Sequence, residues 1–299
     1  MSLWERISDR LRTYSFGWPL EQWTNETIAE EDRRLSRLLK NPIGGRYRVE
    51  DLVFDQCFRA VDENDGSLVI LKILSKTRDP KNLLGREFEI CSGLSHKNII
   101  KYHDILTESD FTILVARYFE AEEFQVVAGP PVEASLSRDS IGLSIFHQLQ
   151  DGLDYLHGKG IVHAGLRRDS VLLDTSGDVT IIGLLHSVDS KGGGQPPVNE
   201  DHQRLMYGSP EHLSGELTPE SDYFAIGILL FEYLLRVHPF WRVGLRIAFA
   251  RLRESGADKF LLNPQLYNKD RKILGALFSP DIAERRQGWG ALRELRSRR

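Results

Sequence analysis

Between Tyr47 and about Glu120 the chain alternates apolar and polar residues in short runs. "YRVEDLVF", "CFRAVDE", "SLVILKIL", "NIIKYHDIL" and "FTILVARYF" are rich in β-branched and aromatic residues and predict strands. Asn64-Asp65-Gly66 supplies a hairpin turn between the second and third runs. One helix, from about Lys81 to Gly93, interrupts them. The result is a small antiparallel sheet with a single helix. After "AGPP" the period changes. Ile141, Ile145, Leu149, Leu153 and Leu156 recur near i, i+4, with Asp139 or Ser140 as cap and Gly158 and Gly160 at the end. "GIVHA" and "SVLLD…DVTIIG" read as short strands, and residues 188–199, rich in Gly and Pro, read as a mobile loop. "SDYFAIGILLFEYLLRV" is apolar nearly all round; at 17 residues it is a buried core helix rather than a membrane span. The remainder is helical to the Arg-rich end. A β-rich lobe followed by an α-rich lobe predicts a two-lobed α+β protein with a cleft between the lobes.

Residues 1–46 stand apart as an N-terminal helical extension. Leu3, Trp4, Ile7, Leu11 and Tyr14 recur at helical spacing, with Arg6, Arg10 and Arg12 among them. This helix either packs on the main domain or serves as a partner-docking or membrane-surface helix. A second helix follows over "TIAEEDRRLSRLLKNP", where Thr27 and Glu30 fit a capping box and Pro42 follows its end.

The totals narrow the classes. With 299 residues there is ample length for a core. A net charge of -4 argues against bulk nucleic-acid binding. Cys57 and Cys91 are the only cysteines and have neither metal-ligand nor disulfide spacing, so a reducing, cytoplasmic setting is expected. No run of 18 apolar residues exists and the N-terminus lacks a secretory core.

Six ordered segments then carry a resemblance. "VILK" at 69–72, "REFEICSGLSHKNII" with Glu87, "YLHGKGIVHAGLRRDSVLLD", "GSPEHL", "SDYFAIGILLFEYLLRVHPFW" with Asp222 and Gly227, and "SPDIAERR" follow one another over residues 47–299. In order and content this resembles a eukaryotic-type protein kinase domain. The likeness implies a β-rich N-lobe at 47–120 with one helix and an α-helical C-lobe at 121–299. It also implies an ion pair between Lys72 and Glu87, a pair between Glu211 and Arg285, and a stack of Cys91, Tyr102, His163 and Leu184 tying the lobes, anchored by Asp222.

The positions that carry chemistry in that family are changed here. Phosphoryl transfer is mostly positioning and charge neutralisation, so it needs a glycine cradle, a lysine, metal ligands and a carboxylate for the hydroxyl. Glu50, Leu52 and Asp55 fall at the cradle's glycine positions, and residues 47–65 contain no Gly. Each adds a Cβ, and two add negative charge; like unit charges ~4 Å apart repel by about 4 kcal/mol at an effective dielectric of ~20. Ile70 replaces a small residue over the adenine site, where overpacking costs roughly 1–3 kcal/mol. Ala116 stands behind that site, Cys57 and Leu172 complete its apolar walls, and Arg117, Tyr118 and Phe119 form the hinge. Gly165 stands at the catalytic aspartate, Ser170 and Gly183 at the two metal positions, Ala164 at the arginine that ties a phosphorylated loop, and Arg167 at a lysine. His163 is read as part of the lobe-tying stack rather than as a base, and Asp169 reaches the lost base's position only in a rebuilt loop. The resemblance therefore implies a pseudokinase: not an enzyme, with no cofactor, no metal site and little or no ATP or Mg²⁺ binding. Lys72 is kept for its pair with Glu87. Such a chain works as a scaffold or allosteric regulator of a protein partner, an active kinase or another signalling enzyme. Candidate docking surfaces are residues 1–46 with Trp4, Trp18 and Trp23, the edge of the Glu87 helix, residues 188–199 and the Arg-rich end; peripheral membrane contact by the first helix stays open. The alternatives are a kinase-fold enzyme of non-standard transfer chemistry using Glu50 or Asp55 as metal ligands, or a nucleotide sensor without turnover.

Overall fold

A computed structural model describes residues 25–54, 56–79, 81–123, 135–189, 206–213, 215–240, 250, 261 and 263–295. The chain divides into two compact units, residues 1–95 with 100–119, and residues 96–99 with 120–299.

Among its described residues, unit 1 has a five-stranded antiparallel sheet and two helices. Its strands are β1 (Tyr47–Phe54), β2 (Cys57–Asp62), β3 (Leu68–Ser75), β4 (Tyr102–Glu108) and β5 (Phe111–Arg117), in the order β1-β2-β3-β5-β4. The helices are α1 (Asn25–Leu38) and α2 (Leu83–Ser92). Alternation assigns the two faces of the sheet. Val69, Leu71 and Ile73 of β3 join Phe111, Ile113 and Val115 of β5, Phe58 and Ala60 of β2, and Val49 and Leu52 of β1 in one apolar cluster. Leu35, Leu38, Leu39 and Ile43 close that cluster from the extension. Ile70 and Lys72 alternate to the opposite face. The turn at residues 63–66 has Gly66 at φ +76°, the left-handed region that glycine enters without cost. α2 opens on Asp79, whose carboxylate accepts the amides of Leu83 and Leu84.

The extension's second helix is present as expected, but it starts earlier. α1 already includes Asn25, so Thr27 does not cap it. The first predicted helix, with Trp4, Trp18 and Trp23, lies outside the described residues.

Unit 2 contains α3 (Ser140–Gly158), α4 (Pro219–Leu235), α5 (Asn268–Leu277) and α6 (Ile282–Glu294). A three-stranded sheet, β6 (Ala121–Glu123), β8 (Val171–Asp174) and β9 (Val179–Ile181), has the order β6-β8-β9. β7 (Ile161–Val162) pairs with β10 (Val188–Asp189). Residues 188 and 189, read from sequence as loop, are therefore strand; residues 190–199 lie outside the described residues. Asp139 caps α3 by accepting from Ile141 and Gly142. Ile141, part of the apolar spacing, is 64% exposed, whereas Gly142 and Leu143 of the same turn are buried. α4 is buried almost throughout, and Gly227 lets it approach α5: an added Cβ would meet Leu277 Cβ at 3.0 Å. No helix among the described residues is long and apolar enough to cross a membrane.

Arg285 of α6 is the largest fully buried side chain. Its Nη1 and Nη2 donate to Glu211 Oε1 and Oε2 at 2.5 and 2.9 Å, and Nη1 also donates to the Glu220 carbonyl at 3.0 Å. Removing one partner strands the other charge away from water. Arg285→Met is expected to lower unfolding stability by about 3–5 kcal/mol, read as a lower urea midpoint at unchanged slope. A loss below about 1 kcal/mol is incompatible with this buried pair.

Candidate functional site

The sequence-predicted site residues fall into two groups, one in each unit. In unit 1, β3 presents Lys72 and α2 presents Glu87. Lys72 Nζ lies 2.7 Å from Glu87 Oε2, and Glu87 is fully buried. The other carboxylate oxygen accepts from the Tyr102 hydroxyl at 3.0 Å. Burial first, then the Glu87 charge, pushes the Tyr102 phenol well above its ordinary pKa, and the same two causes raise the Cys91 thiol. Glu87 thus has a partner on each oxygen inside unit 1. The resemblance implies Tyr102 only as a stacking residue; its hydrogen bond depends on how α2 packs beside β4, which no sequence spacing encodes.

Ile70 pairs with Arg59 on one side and Ala116 on the other, and Ala116 pairs with Tyr102. Cys57 stands opposite Lys72. Leu172 belongs to unit 2, where it is buried on β8.

Two of the three glycine-loop positions do something other than expected. Leu52 does not crowd a phosphate: it pairs with Phe58 and is fully buried in the apolar cluster on the face away from Lys72. Glu50 sits at a register shift between Val49 and Asp51, 3.4 Å from Arg48 and 3.5 Å from Arg59. Held between two guanidinium groups, it is poorly placed to serve as a metal ligand. Asp55 lies outside the described residues.

In unit 2 the loop after β7 hangs on Asp222 of α4, a carboxylate 1% exposed. Its oxygens accept from the amides of His163 and Ala164, each at 2.9 Å, and from His157 Nε2 at 2.8 Å. Burial works against the charge on Asp222. The His157 hydrogen bond, the two imidazoles and the His163 amide outweigh it and hold the pKa below the ordinary aspartate value. Ala164 has φ +58°, a left-handed conformation costly for a residue with a Cβ, and its two peptide polar groups are both held. Asp222 accepts its amide, and His212 Nε2 donates to its carbonyl at 3.2 Å.

His163 has both ring nitrogens engaged. Nε2 donates to the Ile182 carbonyl at 3.0 Å, and Nδ1 accepts from the Gly165 amide at 3.3 Å. That pattern fixes one neutral tautomer and leaves no lone pair for a substrate proton. Ser170 is likewise committed: its hydroxyl donates to the Arg167 carbonyl and accepts from the Arg167 amide, both at 2.7 Å. Arg167 pairs with Asp169 at 2.6 Å.

The structure brings positions 170 and 183 together. A Cβ built on Gly183 would lie 3.8 Å from Ser170 Cβ, and Gly183 has φ +80°. At Gly165 an added Cβ would meet His186 no closer than 3.4 Å. There is room for side chains at both glycines. What is missing is the carboxylate. Mg²⁺ requires one or two of these beside the phosphate oxygens, so Ser170 and Gly183 do not fit the ion. Among the described residues no group of three or more His, Cys, Asp or Glu side chains is placed to hold a metal.

Beside this loop lies a second ionisable group that the sequence reading missed. The Tyr207 hydroxyl donates to Glu232 Oε2 at 2.8 Å, Arg168 Nε is 3.9 Å from Oε1, and the His238 ring packs edge-on against Tyr207. Burial pushes Glu232 up to about 6, against the pull of Arg168, and pushes His238 down to about 4.

A family model described as protein kinase domain matches residues 53–285. NUAK family SNF1-like kinase 2 of Rattus norvegicus is 31% identical over 192 residues, covering 60% of this chain and 28% of that protein. CBL-interacting serine/threonine-protein kinase 21 of Arabidopsis thaliana is 24% identical over 260 residues, covering 81% and 58%. Inactive serine/threonine-protein kinase PLK5 of Mus musculus is 26% identical over 275 residues, covering 85% and 44%. The chain therefore spans between 28% and 58% of the length of these relatives. Their names overturn one expectation. The changed motif positions led to the reading that the chain is no enzyme, yet most of its named relatives are called kinases without qualification. The physical reason is that transfer in this fold rests on positioning and charge neutralisation, and neither is tied to one set of side chains.

The Glu232 environment gives a pH test with a definite sign. Its folded pKa lies above the unfolded value, so its contribution to stability is full below about 4.5 and is lost as pH rises through about 6. Depressed groups such as Asp222 and His238 act in the opposite sense, so the difference between two proteins is the useful quantity. Between pH 4.5 and 7 the wild type is expected to change by about 2 kcal/mol relative to Glu232→Gln, losing stability as pH rises. Urea unfolding at both pH values measures it, and parallel curves would refute the raised carboxyl.

Proposed function

The chain belongs to the protein kinase family, and from that premise we propose that it acts in signalling as a scaffold or allosteric regulator of a protein partner, with weakened handling of Mg²⁺ and nucleotide. One observation carries the reading. The side chains that hold the kinase frame keep their partners: Lys72 with Glu87, Asp222 with the loop at 163–164, and Glu211 with Arg285. The positions that would meet metal or hydroxyl offer Gly165, a self-capped Ser170 and Gly183. A frame kept with reduced ligand chemistry is useful as a binding surface. One relative, PLK5 of mouse, is itself named inactive, which supports the reading without deciding it. The partner proposed is another signalling enzyme, an active kinase included. Residual phosphoryl transfer is compatible with this role and is measured separately.

The test is a thermal-shift titration of the full chain with ATP, with and without Mg²⁺ or Mn²⁺. With Kd above about 10 mM, a ligand at ~5 mM adds only about 0.2 kcal/mol, a shift below about 1 °C. The double variant Ser170→Asn with Gly183→Asp restores side-chain ligands at adjacent positions and is expected to gain a metal-dependent shift. A wild-type shift of several degrees that requires metal would overturn weakened handling. Accompanied by phosphate release or transfer, it would replace the proposal with a nucleotide-dependent transferase.

A further inference from the structure

Glu31 is a carboxylate of α1, 6% exposed. The Ser75 hydroxyl donates to its Oε1 at 2.7 Å, and Arg78 Nε lies 3.3 Å from its Oε2. These partners belong to the turn that links β3 to α2, and the turn is tightly bonded. The Arg78 amide donates to the Ser75 hydroxyl at 3.1 Å, and the amides of Arg78 and Asp79 donate to the Ser75 carbonyl. Asp79 then caps α2, which carries Glu87 one turn further on. Arg78 also reaches the turn between β1 and β2. With its amide oriented as its neighbours require, Gln56 accepts from Arg78 Nη1 at 2.7 Å and donates to the Ile73 carbonyl at 3.0 Å. Gln56 is buried, has φ +56°, and its own carbonyl accepts from the Ile73 amide at 2.9 Å.

We propose that α1 is a built-in clamp: through Glu31 it sets both the β1–β2 turn and the helix that presents Glu87 to Lys72. Apolar packing of Leu35, Leu38 and Leu39 is enough to seat a helix on this sheet. It is not directional, and a buried carboxylate adds a desolvation cost that packing alone would avoid. What the carboxylate adds is a fixed position for Ser75 and Arg78, and from them hydrogen bonds run to two separate elements. Losing the Glu31 link therefore loosens both together, which loss of apolar packing alone does not. This holds whether the domain turns over nucleotide or only binds partners.

Hydrogen exchange on the full chain tests it with Glu31→Gln, Ser75→Ala and Leu38→Ala. In Glu31→Gln, amides of residues 49–60, of Ile73 (bonded to the Gln56 carbonyl) and of 83–92 are expected to exchange about 10-fold faster or more, while those of 69–72 and 111–115 stay protected. Ser75→Ala, which removes only the hydroxyl link, is expected to give the same pattern in weaker form. Leu38→Ala supplies the contrast, raising exchange evenly over unit 1. The clamp is refuted if Glu31→Gln leaves both segments unchanged, or if its effect is as even as that of Leu38→Ala. Should Glu31→Gln fail to fold, Ser75→Ala alone decides between the two patterns.

Discussion

Unit 2 depends on one buried carboxylate. Asp222 sits in the first turn of a helix that is apolar nearly all round, and a charge there is tolerable only if it is fully hydrogen-bonded. It is, and every donor comes from the segments it organises: two amides of the loop at 163–164 and the imidazole of His157 at the end of α3. Because the donors are backbone amides, the arrangement fixes chain path rather than side-chain identity. It holds Ala164 in a left-handed conformation that the residue would not choose. From that kink the positions at 165 and 170 follow, and His163 links the loop to Ile182, beside Gly183.

Unit 1 repeats the logic with different chemistry. Glu87 is also a fully buried carboxylate, and its partners are side chains, Lys72 and Tyr102. Breaking either link leaves charge or lone pairs without water, so the arrangement is self-preserving irrespective of any ligand. In each unit the geometry of the frame is thus explained by burial. Retention of Lys72 needs no nucleotide to account for it.

Much of this was legible in the sequence. Strand alternation placed β1 to β5, because one face of the sheet is buried and period-2 patterning reports burial directly. The pairs Lys72–Glu87 and Glu211–Arg285 were legible only through the family likeness, since their members lie 15 and 74 residues apart. The errors have physical causes. The family likeness puts Leu52 at a glycine position; the register shift at Glu50 turns the strand so that Leu52 joins the apolar cluster, and nothing in "EDLVFD" announces a bulge. Ile141 shares the i, i+4 spacing of the buried residues of α3, and spacing alone does not report exposure. The roles of Glu31, His157 and Glu232 are not legible in the sequence, because a buried polar residue looks like a surface one until its partner is seen. The inference from changed motifs to absent activity failed for another reason: it read a list of side chains as if it were a free-energy barrier.

The substitutions at 165, 170 and 183 share a direction. A carboxylate at 183 would occupy a left-handed backbone position, where glycine avoids roughly 1 kcal/mol of steric strain. Carboxylates at 165 and 183 would add negative charge to a unit that already keeps Asp222 ionised, and without a metal they would have to be screened by something else. Ser170 instead closes a short turn on Arg167 with its own hydroxyl. Gly183 and Ser170 thus suit the backbone they occupy, and loss of Lys72, Asp222 or Arg285 would leave a buried group without its partner. Stability and ligand chemistry usually compete at such sites. In this chain the buried polar groups of the loop and of its Asp222 anchor are satisfied by the protein alone, whatever ligand the loop meets.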